Sequence, residues 1–180
     1  VIIPALAALA LQLAPAPTPA ALEGGLAGQW SGTLTYRDYR NDKRYSLPVS
    51  TAFAAAADGA TVTDVSTFDD GPKTGAVVIT TVSLFDAKAG TVTSGSFRKG
   101  KTPELTQRRV SVARYEDPAH WTLTFEAEGQ DNDRPARIRV VETRAGNELV
   151  SREEVAPVTP ADAPYVYRNE TRLRRGPAGA

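Results

Sequence analysis

Residues 28–51 read GQWSGTLTYRDYRNDKRYSLPVST, two alternating arms about the polar centre YRND, Tyr39–Asp42. Folding the chain back about that centre sets Tyr36 opposite Tyr45, Leu34 opposite Leu47, Gly32 opposite Val49 and Trp30 opposite Thr51. Side chains of a strand alternate between faces, so these pairs share one face, and it is consistently apolar. Ser31, Thr33 and Thr35 turn to the other side. The stretch therefore predicts an antiparallel ribbon with one apolar and one polar face.

The same test succeeds further along. Closing EDPA, Glu116–Ala119, sets Val112 opposite Leu123, Val110 opposite Phe125 and Arg114 opposite Trp121. The loop around Asp131–Arg134 continues that face, with Phe125 opposite Val140 and Ala127 opposite Ile138. A tight Gly146-Asn147 turn then brings Glu142 opposite Ser151 and Val140 opposite Glu153. Segments rich in Thr, Val, Tyr and Phe predict ten strands, near 29–38, 43–55, 60–68, 74–85, 91–98, 105–115, 120–129, 135–144, 148–156 and 164–174. Such a meander closes into a barrel or packs as a sandwich. The outward positions include Thr122, Thr124, Glu126, Arg137, Arg139 and Glu154, with Arg139 and Glu154 cross-strand. A membrane barrel carries its apolar side outside, so this exterior excludes one.

Composition sets the surroundings. A chain of 180 residues makes one domain, and 21 basic against 21 acidic residues leaves no net field to draw nucleic acid. Without cysteine there is neither a disulfide framework nor a thiolate site. Ile2–Leu13 is apolar but too short to span a bilayer, and the small-residue run APAPTPAAL follows it. That is the shape of a signal peptide, although no basic segment precedes it and the chain opens on Val1; an alanine-rich frayed tail is the alternative. Thr18-Pro19-Ala20 offers a cleavage site after Ala20. The expected organisation is a signal peptide over 1–20, a short linker over 21–28, one β-barrel domain over 29–175 and a flexible tail over 176–180, in a secreted or periplasmic protein.

A Gly-x-Trp opening the first strand, a long antiparallel meander and a basic residue near the last strand together resemble the calycin superfamily, the lipocalins and fatty-acid-binding proteins. The resemblance implies an all-β fold: a lipocalin-like, antiparallel up-and-down β-barrel of about ten strands. It also implies that Trp30 plugs the closed end and that Arg172 or Arg174 of NETRLRR packs across it. In an up-and-down meander the EDPA loop lies at that same end, which brings Trp121 there too. Lipocalins carry Thr-Asp-Tyr in the corresponding loop, where this chain has RYEDPAHW.

Few residues carry reactive chemistry. His120 is the only histidine, hence the only candidate for a haem ligand or a histidine base, and alternation beside an inward Trp121 turns it outward. No metal or cofactor is expected. Glu142 and Glu153 fall inward on adjacent strands near Arg114 and Arg144, either as acid/base partners or as a self-satisfied charge network. DNDR and DDGPK lack calcium-loop spacing and read as turns, and Asn169-Glu170-Thr171 is a glycosylation sequon within a strand. Opposite the Trp30 end, Tyr36, Tyr45, Arg108, Tyr165 and Tyr167 face inward, with Phe125 and Glu153 deeper, provided that Tyr165 and Tyr167 keep the parity of Leu173. Tyrosines at a mouth offer apolar faces and orienting hydroxyls. The leading expectation is a monomer that binds a small hydrophobic or amphipathic ligand at this mouth and catalyses nothing. An enzyme with Glu153 as base and Arg108 as anion holder, and a filled structural barrel, are the alternatives.

Overall fold

The computed structural model describes residues 17–177. A short helix α1 (Pro19–Gly24) precedes ten strands: β1 (Gly28–Arg37), β2 (Arg44–Ala55), β3 (Thr61–Asp69), β4 (Ala76–Asp86), β5 (Thr91–Arg98), β6 (Glu104–Asp117), β7 (His120–Asp131), β8 (Arg134–Ala145), β9 (Glu148–Pro157) and β10 (Val166–Arg175). One helical turn, α2 (Gly71–Thr74), joins β3 to β4. Each strand pairs antiparallel with its sequence neighbours, and β1 closes on β10. The fold is therefore an up-and-down β-barrel of ten strands, as the alternation predicted.

The first hairpin has the register read from its sequence, Trp30 to Thr51 through Tyr36 to Tyr45. The β7–β8 and β8–β9 pairs also match, including Phe125 with Val140 and Val140 with Glu153. On β6 the outcome differs. Register shifts between Val112 and Arg114 and between Tyr115 and Asp117 set Tyr115 against Trp121, while Arg114 lies against Thr122 and pairs with Glu116 in solvent. A bulge inserts an unpaired residue and inverts the parity beyond it, which simple alternation cannot foresee.

Trp30 and Trp121 are both 1% exposed, at the end where β1 begins. The arginine over the Trp30 ring is Arg175, its guanidinium carbon 4.7 Å from the ring centre, with Arg144 on the same ring at 6.0 Å. The expected partners, Arg172 and Arg174, turn outward and pair with Glu170 and Glu148. Alternation gives the reason: Leu173 faces the core, so Arg175 shares its side and its neighbours at 172 and 174 do not. At Gly32 a Cβ would lie 1.9 Å from the Arg172 carbonyl oxygen, so only glycine lets β10 come this close to β1.

Residues 21–28, expected as a linker, are folded. Thr18 caps α1 by accepting from the Ala21 N–H at 3.2 Å, and Pro19 opens the helix, where it removes no intrahelical bond. Ala20, Leu22 and Leu26 are buried with the two tryptophans. The Trp30 Nε1–H donates to the Leu26 carbonyl at 2.7 Å. Arg175 donates to the carbonyls of Gly25 (2.8 Å) and Ala27 (3.1 Å), and Arg144 donates to Gly25 at 3.1 Å. Two cations thus close the C-terminal end of the helix and cover the indole together, a favourable position for positive charge. The cleavage point read after Ala20 falls within α1. The remainder of the proposed signal peptide, residues 1–16, lies outside the described residues, as does 178–180 of the tail. No helix among the described residues is long and apolar enough to cross a membrane.

The exterior is polar only in part. On β7–β10 it carries ion pairs, among them Arg139 Nη2 to Glu154 Oε2 at 2.6 Å. On β3–β6 the outward side chains include Val65, Val78, Val82, Leu84, Phe97 and Leu105, all exposed. The polar outer face read on β1 and β7–β9 is therefore not continued over β3–β6.

Candidate functional site

Between the buried apolar side chains Val62, Phe85, Val92 and Val110, the inward positions of β3–β6 carry small hydroxyl side chains. Thr81, Ser83, Ser94, Ser96 and Thr106 line a chamber of about 370 Å³ with Phe85 and Val92 of the same strands, and Phe53, Phe125 and Val140 complete its lining from β2, β7 and β8. Serine and threonine do not reach the barrel axis, so the space that Trp121 and Leu123 fill on the other side stays open here. Neighbouring hydroxyls satisfy each other along the wall, Ser83 with Ser94 at 2.9 Å and Thr51 with Ser66 at 2.9 Å. Two residues along the same strands toward the mouth, Phe68, Val77 and Ile79 with Leu34 and Leu47 line a second, more apolar space of about 250 Å³.

Three carboxyls meet low in the chamber: Glu23 from α1, Asp64 from β3 and Glu142 from β8. Glu23 is buried, and Glu142 keeps free surface on the cavity it lines. Burial raises the Glu23 carboxyl well above the usual carboxylate range, and the charge of Glu142 and a hydrogen bond with it raise it further. Glu142 is also raised by burial but accepts hydrogen bonds from Glu23 and Ser151, so Glu23 holds the proton and Glu142 the charge. Burial lifts Asp64 to about 6, against the opposing hydrogen bonds of Thr81 and Ser66. Apart from the proton that Glu23 shares with Glu142, no N–H or hydroxyl donor reaches Oε1 of either residue. Isolated buried carboxylates are costly, and no base appears among the groups acting on these three.

Glu153 sits in a different setting. Burial raises its carboxyl, while Arg108, Arg168 and a hydrogen bond from Asn169 favour its charged form. It is therefore not a partner of Glu142, whose neighbour is Glu23. Arg144, expected near that pair, is instead one of the two guanidiniums over Trp30.

Of the residues expected at the mouth, Arg108 and Phe125 line the chamber with the hydroxyl side chains and Tyr36 lines the more apolar space. Tyr45 lies against Tyr36 with ring centres 6.1 Å apart and remains 43% exposed. Tyr165 and Tyr167 face outward, a correction to the expected parity. Tyr165 packs under Arg139 at 4.1 Å, and Tyr167 under Arg44 at 4.0 Å with its hydroxyl donating to the Thr35 carbonyl. The cause is a register shift between Tyr167 and Asn169, which turns Arg168 toward the mouth in their place. There Arg168 donates to Asp131 Oδ1 at 3.1 Å and to the Arg37 carbonyl at 2.8 Å, and lies over the Tyr39 ring at 4.4 Å. Tyr39 also donates its hydroxyl to Asp131, and burial with that bond pushes the phenol up to about 12. The β1–β2 turn is thus tied to the β7–β8 turn across the mouth. His120 is exposed on the outer side, its Nδ1 2.9 Å from Asp117 Oδ2. Among the described residues no group of three or more His, Cys, Asp or Glu side chains is placed to hold a metal ion.

Glu23, Asp64, Tyr39 and Arg168 were absent from the sequence-derived site. Only α1 carried a local signal, the Thr18 cap followed by Pro19.

These features define a class: a closed, ten-stranded antiparallel up-and-down barrel with one end plugged by a helix and a partly polar chamber above it. No protein-family model matches the chain, and no curated protein does. Among solved structures it is similar to Rv2717c from M. tuberculosis, with a TM-score of 0.60 over 92% of this chain and 99% of that one, at 15% identity. At that identity the likeness concerns the fold.

Proposed function

We propose that this protein is a calycin-like carrier, secreted or periplasmic, that holds a small amphipathic molecule inside its barrel without transforming it. The hollow interior carries this reading: a chamber of about 370 Å³, polar at its floor, with a more apolar space of about 250 Å³ toward the mouth. A cavity with an apolar wall and a few convergent polar groups is the usual form of a small-molecule site. Arg108 and Phe125 are its contacts from the sequence-derived set, with Tyr36 and Tyr45 nearer the mouth. Native mass spectrometry of protein purified from its own cell envelope tests the proposal, with displacement of an anilinonaphthalene dye as its quantitative arm. A co-purifying small molecule that displaces the dye supports it; a barrel that takes up neither overturns it. Export rests on the apolar Ile2–Leu13 stretch and is tested by N-terminal sequencing of envelope material. Cleavage upstream of Thr18 is expected, since a cut after Ala20 removes the helix cap and a buried side chain.

One observation favours a second reading, an enzyme: Glu153 is held up by burial beside Arg108. Glu153→Gln keeps its shape and removes the ionisable group. A carrier keeps most of its affinity after this change, whereas a general acid or base loses about two to four orders of magnitude in rate.

A further inference from the structure

From the position of Glu23, Asp64 and Glu142 at the floor of the chamber, with Glu23 and Glu142 each offering a carboxyl oxygen that no N–H or hydroxyl donor reaches, we infer that the ligand is a small organic cation, an alkylammonium whose head lies among these three acids and whose tail extends toward Phe68, Val77 and Ile79. The inference rests on the carrier reading and specifies its ligand.

The charge arrangement carries the argument. Glu23 is 8% exposed and lines the chamber, yet no N–H or hydroxyl donor reaches its Oε1, its one partner being the equally acidic Glu142. A buried acceptor left without a donor is costly, and an ammonium supplies three donors with a compensating charge. The carboxyls themselves come from separate elements, α1, β3 and β8, so no local turn geometry explains their meeting. Other polar groups facing the chamber are the hydroxyls of Thr81 and Ser83 on β4, Ser94 and Ser96 on β5, Thr106 on β6 and Ser151 on β9, which accept or donate, and Glu104 and Arg108 on β6. Arg108 is the one base lining the chamber, and it acts on Glu153 rather than on the floor acids. An anion would therefore find its counter-charge only beside Arg108 and would meet three acids below it. A bare metal ion is not the expected occupant, since among the described residues no group of three or more such side chains is placed to hold one.

Binding exchanges one proton for the cation. In the free protein Glu23 holds a proton against the Glu142 carboxylate. When an R–NH3+ group enters, that proton leaves to solvent, both carboxyls become anionic, and no covalent bond is made or broken. Affinity for the ammonium therefore rises with pH through the range in which the acids are still protonated.

The test is isothermal titration calorimetry of the purified protein with octylammonium, 1-octanol and octanoate, which share a tail and differ in head charge. Octylammonium is expected to bind about ten- to a hundredfold tighter than octanol, the range for hydrogen bonds to charged groups, and octanoate to bind most weakly. In two buffers of different ionisation enthalpy, the octylammonium titration is expected to report proton release, absent for octanol. The double variant Glu23→Gln, Glu142→Gln keeps the shape and removes buried charge, so it is expected to fold and to lose the preference for the ammonium while keeping octanol. Octanoate binding as tightly as octylammonium, or a double variant that retains the preference, overturns the cation inference and leaves the carrier reading standing. If none of the three probes binds, both fall.

Discussion

Around β7, β8 and β9 the barrel interior is packed with Trp121, Leu123, Phe125, Val140, Leu149 and Val155, and the outer face carries ion pairs such as Arg139 with Glu154. Around β3, β4 and β5 the same inner layer holds Asp64, Thr81, Ser83, Ser94 and Ser96, while Val65, Val78, Val82, Leu84 and Phe97 face outward. One closed ladder of backbone hydrogen bonds joins both sides, so architecture alone does not decide whether the interior is full. Side-chain size decides it: indole, leucyl and phenyl groups fill one wall, and on the other the hydroxyl groups between Phe85 and Val92 leave a hollow. The packed side supplies stability that offsets the buried acids, of which Asp64 comes from the hollow side, Glu142 from β8 and Glu23 from α1.

That division predicts where the largest loss falls. Trp30 joins the helix plug, the two arginines and the packed wall, so Trp30→Ala is expected to cost about 3–5 kcal/mol in denaturant unfolding. A loss below about 1 kcal/mol would separate the closed end from the core. Next comes the cost of the hollow side. Asp64 has its carboxyl raised to about 6 in the fold, so between about pH 4 and 6 the native state holds a proton that the unfolded chain has released. Stability therefore falls as pH rises through that window, by about 3 kcal/mol for this group in the ligand-free protein, and Glu23 and Glu142 carry the decline higher. Unfolding midpoints at pH 4.5 and pH 7.5 check this, and Asp64→Asn is expected to flatten the difference. Stability that instead increases with pH would mean that the acids are compensated by a base.

How much of this was readable in the sequence follows the same division. The ribbons of β1–β2 and β7–β9 alternate cleanly, with apolar residues on one face only, and their turns pin the register. On β4, Val77 and Ile79 face inward while Val78, Val82 and Leu84 face outward, so the pattern is apolar on both sides and does not say which is the core. The strand was legible there and its facing was not. The outward turn of Tyr165 and Tyr167 depends on one bulge, and bulges leave little trace in composition. The floor acids come together from positions 23, 64 and 142, a juxtaposition that only the closed barrel creates. Helix α1 spans six residues, too few to show a helical period, and its alanines and prolines looked like a leader.

On the outer face the two sides differ in charge, and the expected effect is smaller. Arg139 and Glu154 make two hydrogen bonds, at 2.6 and 3.2 Å, with the Glu154 side chain 17% exposed. Glu154→Gln is expected to cost about 1 kcal/mol or less, the upper range for pairs near the surface, and less again in high salt. Unfolding at two salt concentrations measures it. A loss comparable to that of Trp30→Ala would show that the charged exterior, rather than the packed interior, holds this side together.

The smallest expected effect on stability is the most informative about the interior. Ser96 on β5 lines the chamber, and Ala136 on β8 is buried in the packed wall at 4% exposure. Both side chains point inward, so Ser96→Leu and Ala136→Leu introduce the same group into the two sides of one barrel. In the packed wall an added side chain forces neighbours off their rotamers, at a cost of about 1–3 kcal/mol. In the chamber it enters open space, and the apolar area it buries offsets the lost exposure of the serine hydroxyl, leaving a net change of about 0.5 kcal/mol or less. Binding reverses the order. Ser96→Leu occupies volume that a ligand needs and is expected to weaken dye or octylammonium uptake by at least about tenfold, while Ala136→Leu, once corrected for the folded fraction, leaves it nearly unchanged. Equal stability losses at the two positions would mean that the hydroxyl wall is as tightly packed as the aromatic one, and the chamber would have no room for a ligand.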